Sequence, residues 1–126
     1  MNRVVIGLGS NVGNALALLE ACCKDIASIA ASARFSACYE TAAVGTVPAP
    51  DYCNCVGIVE TDWDYDRLYR CFKEMEKAAG RTPESKHRGE VPLDIDIVVW
   101  NDEVKRPRDM EQEYMQIGLN RLKENI

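Results

Sequence analysis

Apolar side chains in this chain recur every second residue in some stretches and every third or fourth in others. The order in which the two rhythms alternate restricts the fold more than any single motif does. Arg3 to Leu8 is a short apolar run closed by Gly9-Ser10-Asn11, the pattern of a buried first strand ending in a turn. From Asn14 to Ala30 the positions Leu16, Leu19, Cys23, Ile26 and Ala30 follow steps of three and four, which predicts one face of a helix. Ala33, Phe35, Ala37 and Tyr39 then alternate with Arg34, Ser36 and Cys38, as in a strand, and Tyr52 to Thr61 resumes that pattern. Asp64 or Asp66 is placed to cap a second helix with the face Leu68, Phe72, Met75 and Ala79, ended by Gly80. Leu93 to Trp100 reads as a last strand, with Leu93, Ile95, Ile97 and Val99 on one side and Asp94 and Asp96 on the other, and Met110 to Leu122 as a final helix. Two segments break the rhythm. Thr41 to Asp51, with Gly45, Pro48 and Pro50, is expected to be a long loop, and Arg81 to Pro92 an exposed mobile one.

This order predicts the α+β class: a ferredoxin-like βαββαβ arrangement, with a four-stranded antiparallel sheet, two helices on one face and a C-terminal helix in addition. At 126 residues, residues 1–126 are expected to form one domain around one core, with a monomer favoured. The net charge of -5 argues against a general attraction to nucleic acid or anionic membrane, so an anionic substrate would need a local basic patch. The opening residues are broken by glycine too early for a signal peptide and no run has membrane-spanning length; a cytoplasmic location is expected. The six cysteines include no C-x-x-C pair and sit inside patterned segments, so they read as small buried hydrophobes. His87 is the single histidine, too little for a histidine-based zinc site or a Ser-His triad.

The strongest chemical signal is Asp94-x-Asp96. Side chains two apart on a strand project from one face, with ~7 Å between Cα atoms at ~3.3 Å per residue. Carboxylates so placed repel unless a cation lies between them, and oxygen-only ligands suit Mg²⁺; the competing reading is a solvated polar sheet face. Gly7-x-Gly9 before a helix resembles a dinucleotide fingerprint only weakly, because the next glycine is Gly13 and position 12 is Val12; a tight turn feeding a helix accounts for it. Tyr52 and Asn54 share one strand face, where a ring to stack on and an amide to pair with suit a flat heterocycle, or ordinary edge packing.

Taken in order, Ile6-Gly7-Leu8-Gly9-Ser10-Asn11, Tyr39-Glu40-Thr41 through Gly45, Pro50-Asp51-Tyr52-Cys53-Asn54, Glu76 with Gly80-Arg81, and Leu93-Asp94-Ile95-Asp96-Ile97 resemble the 6-hydroxymethyl-7,8-dihydropterin pyrophosphokinase family. The resemblance covers about residues 3 to 104. It implies transfer of pyrophosphate from ATP to the hydroxymethyl group of the dihydropterin, a step of folate biosynthesis, with AMP released. It further implies two Mg²⁺ ions bridging Asp94 and Asp96 to the phosphates, with Arg81 beside them in the catalytic set. The pterin would lie against Thr41, Ala42, Val44, Tyr52 and Asn54, and the nucleotide against Glu76, Arg81, Arg88 and Ile97.

The chain also departs from the family pattern. Val91 stands where a loop arginine is expected, Arg88 where a tryptophan is expected, and Pro83 replaces a further arginine. Arg108-Asp109 and Met115-Gln116-Ile117 replace a Pro-His and an Arg-x-Phe, so the aromatic opposite Tyr52 is expected to be missing. Lys86, His87, Arg88, Lys105, Arg106 and Arg108 could restore cationic character or form a solvated cluster. Three readings follow: a divergent pyrophosphokinase, an impaired or inactive relative that binds a pterin, a nucleotide or a protein partner, and a kinase for another small alcohol.

Overall fold

The computed structural model describes residues 1–42 and 51–124; Val44, Gly45, Pro48 and Pro50 of the loop discussed above lie outside the described residues. The sheet is built around β1 (Asn2–Ser10), which pairs antiparallel with β4 (Tyr52–Thr61) on one side and β5 (Asp94–Trp100) on the other. On the far edge of β4 lie β2 (Ser32–Phe35) and β3 (Tyr39–Thr41), and β6 (Glu103–Val104) extends the sheet beyond β5. The class is α+β with an antiparallel sheet, as expected, but six strands are present among the described residues rather than four. The stretch read as one strand through Tyr39 divides because Ser36 departs from the ladder. Its backbone N–H donates to the Val56 carbonyl (2.8 Å), while its hydroxyl accepts from the Val56 N–H (3.0 Å). The additional short hairpin forms because Asn101 adopts a left-handed backbone (φ 54°), reversing β5 into β6.

One face of the sheet carries α1 (Ala15–Ile29) and α2 (Tyr65–Ala78). Val4, Ile6 and Leu8 of β1, Cys55 and Val59 of β4, and Ile95 and Ile97 of β5 pack there against Leu19, Cys22, Ile26, Leu68 and Phe72. The buried stripe of α1 is Ala15, Leu19, Cys22 and Ile26, rotated from the expected face, and Leu16 is exposed. Asp64 caps α2, accepting from the Arg67 N–H at 2.8 Å, and Gly80 (φ 102°) lets the chain leave it.

The opposite face is covered by α5 (Glu113–Glu124), preceded by α4 (Pro107–Met110). Met115, Leu119 and Leu122 pack on Val56 and Val98. A register shift in the β1–β5 ladder leaves Val98 without a partner, because Val5 pairs with Val99 and Ile6 with Ile97. This bulge places Val99 beside Val98 against α5 and returns Trp100 to the first core, so simple alternation misassigns Val99.

Residues 81–92, expected as a loop, contain the short helix α3 (Pro83–His87). Thr82 and Ser85 form a reciprocal capping box with Pro83 in the first turn, and Ser85 is buried. Asn11 fastens the far end of this segment. Its Nδ2 donates to the Gly89 carbonyl (2.9 Å) and its Oδ1 accepts from the Val91 N–H (2.6 Å).

Candidate active site

The α5-side face of β1 is bare where it matters. Gly7 and Gly9 lie on it, inside the strand rather than in a turn, and their cross-strand neighbours are Asp96 and Asp94 on β5 and Val56 and Asn54 on β4. The glycines form the floor of a cleft walled by Thr41, Ala42, Tyr52 and Asn54 on one side and by Asp94 and Asp96 on the other. Val98, Asp109, Tyr114 and Met115 complete the lining from β5 and the C-terminal helices. A Cβ on Gly9 would approach Asn54 Oδ1 to 3.3 Å and Tyr52 Cδ1 to 3.4 Å, and one on Gly7 would meet Met115 Sδ at 2.8 Å. Any side chain at either position would occupy the cleft.

Asn54 is 6% exposed and its orientation is fixed by its own amide donors. Nδ2 donates to Thr41 Oγ1 (2.7 Å) and to the Tyr52 carbonyl (3.3 Å), which leaves Oδ1 over Gly9 as an acceptor without a protein donor among the described residues. The amide therefore faces the cleft as a hydrogen-bond acceptor beside the Tyr52 ring.

At the other wall, each of the two acids is approached by an arginine. Arg81 Nη1 binds Asp94 Oδ1 (2.7 Å), touches the Leu93 carbonyl (3.4 Å) and pairs with Glu76 Oε1 (3.3 Å). Arg106 Nη1 lies 3.7 Å from Asp96 Oδ1. Burial works against the charge on both acids. At Asp96 burial and the neighbouring Asp94 charge push the carboxyl up to about 8. At Asp94 burial is outweighed by hydrogen bonding to Asp96 and Arg81, which holds it below the usual carboxylate range. The donor set is two hard oxygens groups on a half-open wall, which fits a Mg²⁺ that completes its shell with water and phosphate oxygens. Among the described residues no group of three or more His, Cys, Asp or Glu forms a closed metal site.

The other residues singled out from the sequence fall at varying distances from this cleft. Glu76 is 3% exposed and lies beneath the acid wall. Its Oε2 accepts from the Ile95 N–H (2.8 Å) while Oε1 holds Lys73 (3.1 Å) and Arg81. Ile97 is in the core on the far face of β5. Arg88 is exposed, pairs with Glu90 (3.3 Å), and does not line the cleft. Val44 lies outside the described residues. Tyr114 was not singled out from the sequence, and Asp109 entered there only as a departure from the family's Pro-His. Tyr114 lines the cleft that Tyr52 also lines, so an aromatic is present on the C-terminal side although no Arg-x-Phe precedes it. Asp109 binds both Arg106 and the Tyr114 hydroxyl (2.6 Å). The Tyr114-Met115 pair before a small Gly118 was the available signal, since a helix that approaches a sheet through glycine must aim its neighbouring large residues past the contact.

The fold and cleft define a class: α+β proteins that present an amide–aromatic wall and a paired-carboxylate wall across a glycine floor in a central strand. Residues 5–124 match the family model of the 7,8-dihydro-6-hydroxymethylpterin-pyrophosphokinases, and the chain belongs to that family. It is 31% identical over 108 residues to the 2-amino-4-hydroxy-6-hydroxymethyldihydropteridine pyrophosphokinase of Aquifex aeolicus, covering 86% of this chain and 67% of that protein. With the protein of the same name from Haemophilus influenzae it shares 30% identity over 106 residues, 82% of this chain and 66% of the relative. The folate synthesis bifunctional protein of Arabidopsis thaliana is 33% identical over 99 residues, 78% of this chain and 20% of its own length. The chain thus spans about two thirds of the two bacterial relatives. No helix among the described residues is long and apolar enough to cross a membrane.

Proposed function

We propose that this protein transfers the pyrophosphoryl group of ATP to the hydroxymethyl oxygen of 6-hydroxymethyl-7,8-dihydropterin, a step of folate biosynthesis. The hydroxyl oxygen forms a bond to the β-phosphorus, the bond from that phosphorus to the α,β-bridging oxygen breaks, AMP leaves, and the hydroxyl proton is released. The observation that carries this reading is the cleft itself. An amide–aromatic wall and a paired-carboxylate wall line one cleft across a single strand, which suits a ring held at Asn54 with its hydroxymethyl group directed toward the acids.

On the pterin side, Asn54 Oδ1 accepts from the ring's N–H donors while Tyr52 supplies a stacking surface. Tyr114 supplies the second aromatic wall, and Thr41 keeps the amide from rotating. On the nucleotide side, Asp94 and Asp96 would hold Mg²⁺ with ATP, and the metal would supply charge neutralisation at the transferring phosphoryl group. Arg81 orients Asp94, and Glu76 fixes Arg81 from below. No covalent intermediate on the protein is needed, so positioning and fixed charge carry the rate.

The test is AMP formation from ATP and Mg²⁺, with and without 6-hydroxymethyl-7,8-dihydropterin, in native protein and in Asp96→Ala. Pterin-dependent AMP that disappears in the variant is expected. AMP formation that is absent, or indifferent to the pterin, would overturn the reading.

A further inference from the structure

We propose that Arg106, tethered by Asp109, is a polyphosphate-binding residue of this site that exchanges the Asp96 carboxylate for a phosphate oxygen when metal-bound nucleotide enters. The inference rests on the nucleotide half of the reading above.

The two arginines at the acid wall are held differently. Arg81 is fixed by three acceptors on two elements, Glu76, the Leu93 carbonyl and Asp94. Arg106 approaches Asp96 only to 3.7 Å, beyond hydrogen-bond length, and its firm bond is from Nε to Asp109 Oδ2. Asp109 is in turn steadied by the Tyr114 hydroxyl at 2.6 Å. The guanidinium therefore has one anchored edge and one edge that is electrostatically engaged but not bonded. Its side chain is about half exposed, so an incoming anion reaches it without rearrangement of the core.

A divalent ion held at Asp96 would offset the charge that draws Arg106 Nη1. The Nε bond to Asp109 survives that change. With Nε held by Asp109 and Nη1 freed from Asp96, the terminal nitrogens of Arg106 would be available beside the acid wall to phosphate oxygens, which arginine binds with two donors. Asp109 is thus a positioning residue, acting through Arg106.

The alternative use of Arg106 is as a resident counter-charge that only quiets Asp96 in the empty site. The two uses predict opposite signs. Binding of Mg²⁺ with a non-hydrolysable ATP analogue is measured by calorimetry for native protein, Arg106→Gln, Asp109→Asn and the double variant. ATP KM and kcat are measured in parallel at saturating pterin, with thermal melting to confirm folding. A phosphate-binding Arg106 predicts about a ten- to hundredfold loss of analogue affinity in Arg106→Gln, the size of one charge-assisted contact. It also predicts a smaller loss in Asp109→Asn and a double variant no worse than Arg106→Gln, because the tether acts only through the arginine. Equal or tighter analogue binding in Arg106→Gln, or additive losses in the double variant, would overturn it. The calorimetric arm reads Arg106 even if native protein shows no pterin-dependent AMP, so failure of the wider reading and failure of this inference are separable.

Discussion

Glu76 is the residue on which the acid wall rests, and replacing it separates its structural from its chemical contribution. In Glu76→Ala three things are lost. The Ile95 N–H, buried behind the wall, loses its acceptor, at a cost of about 1–3 kcal/mol for an unpaired buried donor. Ion pairs to Lys73 and Arg81 disappear; both partners are more than one third exposed, so each pair contributes only about 0.5 kcal/mol after solvent screening. A small void is left beside the core, adding about 1 kcal/mol. The sum is about 3–5 kcal/mol, a shift of about 1.5–2.5 M in the urea midpoint at a slope near 2 kcal/mol per M. Glu76→Gln keeps an acceptor for Ile95 and the volume, and is expected to cost about 1 kcal/mol, with Arg81 less firmly held beside Asp94. The assay is equilibrium urea unfolding of the three proteins, with ATP turnover measured on those that fold. Equal midpoints for Ala and Gln would refute the argument that the Ile95 hydrogen bond dominates, and native stability in both would remove Glu76 from the support of the wall.

Gly118→Ala places a Cβ 2.3 Å from Val56 Cγ2 and 2.7 Å from the Tyr39 hydroxyl, so α5 must lift; a loss of about 1–3 kcal/mol and weaker pterin binding are expected, and unchanged melting and pterin affinity would show that the helix is not seated as described. Asn11→Ala removes both side-chain bonds to residues 89 and 91; faster amide exchange at Val91 and cleavage by trypsin within residues 81–92 are expected, and native protection would contradict the clamp. Burial pushes the Cys22 thiol up to about 12 and Cys38 up to about 11, so neither should be alkylated in native protein at pH 8, while urea-unfolded protein labels fully; mass spectrometry distinguishes the two. Because the folded state holds these protons more tightly than the unfolded chain, their contribution is complete below the ordinary thiol value of 9.0 and is lost as pH rises through 11 to 12; a midpoint unchanged between pH 8 and pH 11 would contradict it.

Much of the fold was legible because burial on one sheet face imposes period two and burial of one helix face imposes period three to four. The first core could therefore be read almost residue by residue: Leu19, Ile26, Leu68, Phe72, Ile95 and Ile97 lie where the patterns placed them. The second core could not. It is completed by α5, whose apolar residues Met115, Leu119 and Leu122 are separated by Gln116, Asn120 and Arg121, and whose seat depends on a glycine and on a bulge at Val98. A bulge leaves no mark in an apolar run such as Val98-Val99, because either residue can face either core. Residues 81–92 were misread for a different reason. Their prolines and charges signal a loop, while the Thr82–Ser85 box that makes a helix turn of them, and the Asn11 clamp from far away in the chain, are specific hydrogen bonds that composition does not register.

The candidate site shows the same division between what a local pattern carries and what only register supplies. Asp94 and Asp96, and Tyr52 and Asn54, could be paired from spacing alone, since residues two apart on a strand share a face. What brings the pairs together is β1, and there the sequence pointed elsewhere: Gly7-x-Gly9 before a helix reads as a turn or a weak nucleotide fingerprint, whereas both glycines lie within the strand. Glycine in a central strand costs conformational entropy and contributes no packing, so its presence calls for a neighbour that needs the room. Here Gly9 stands between Asn54 and Asp94 in adjacent ladders and Gly7 stands opposite Asp96, and each keeps the floor clear between the walls. A glycine whose strand partners are an amide and a carboxylate keeps the space between them open, and that can be read only after the strands are in register.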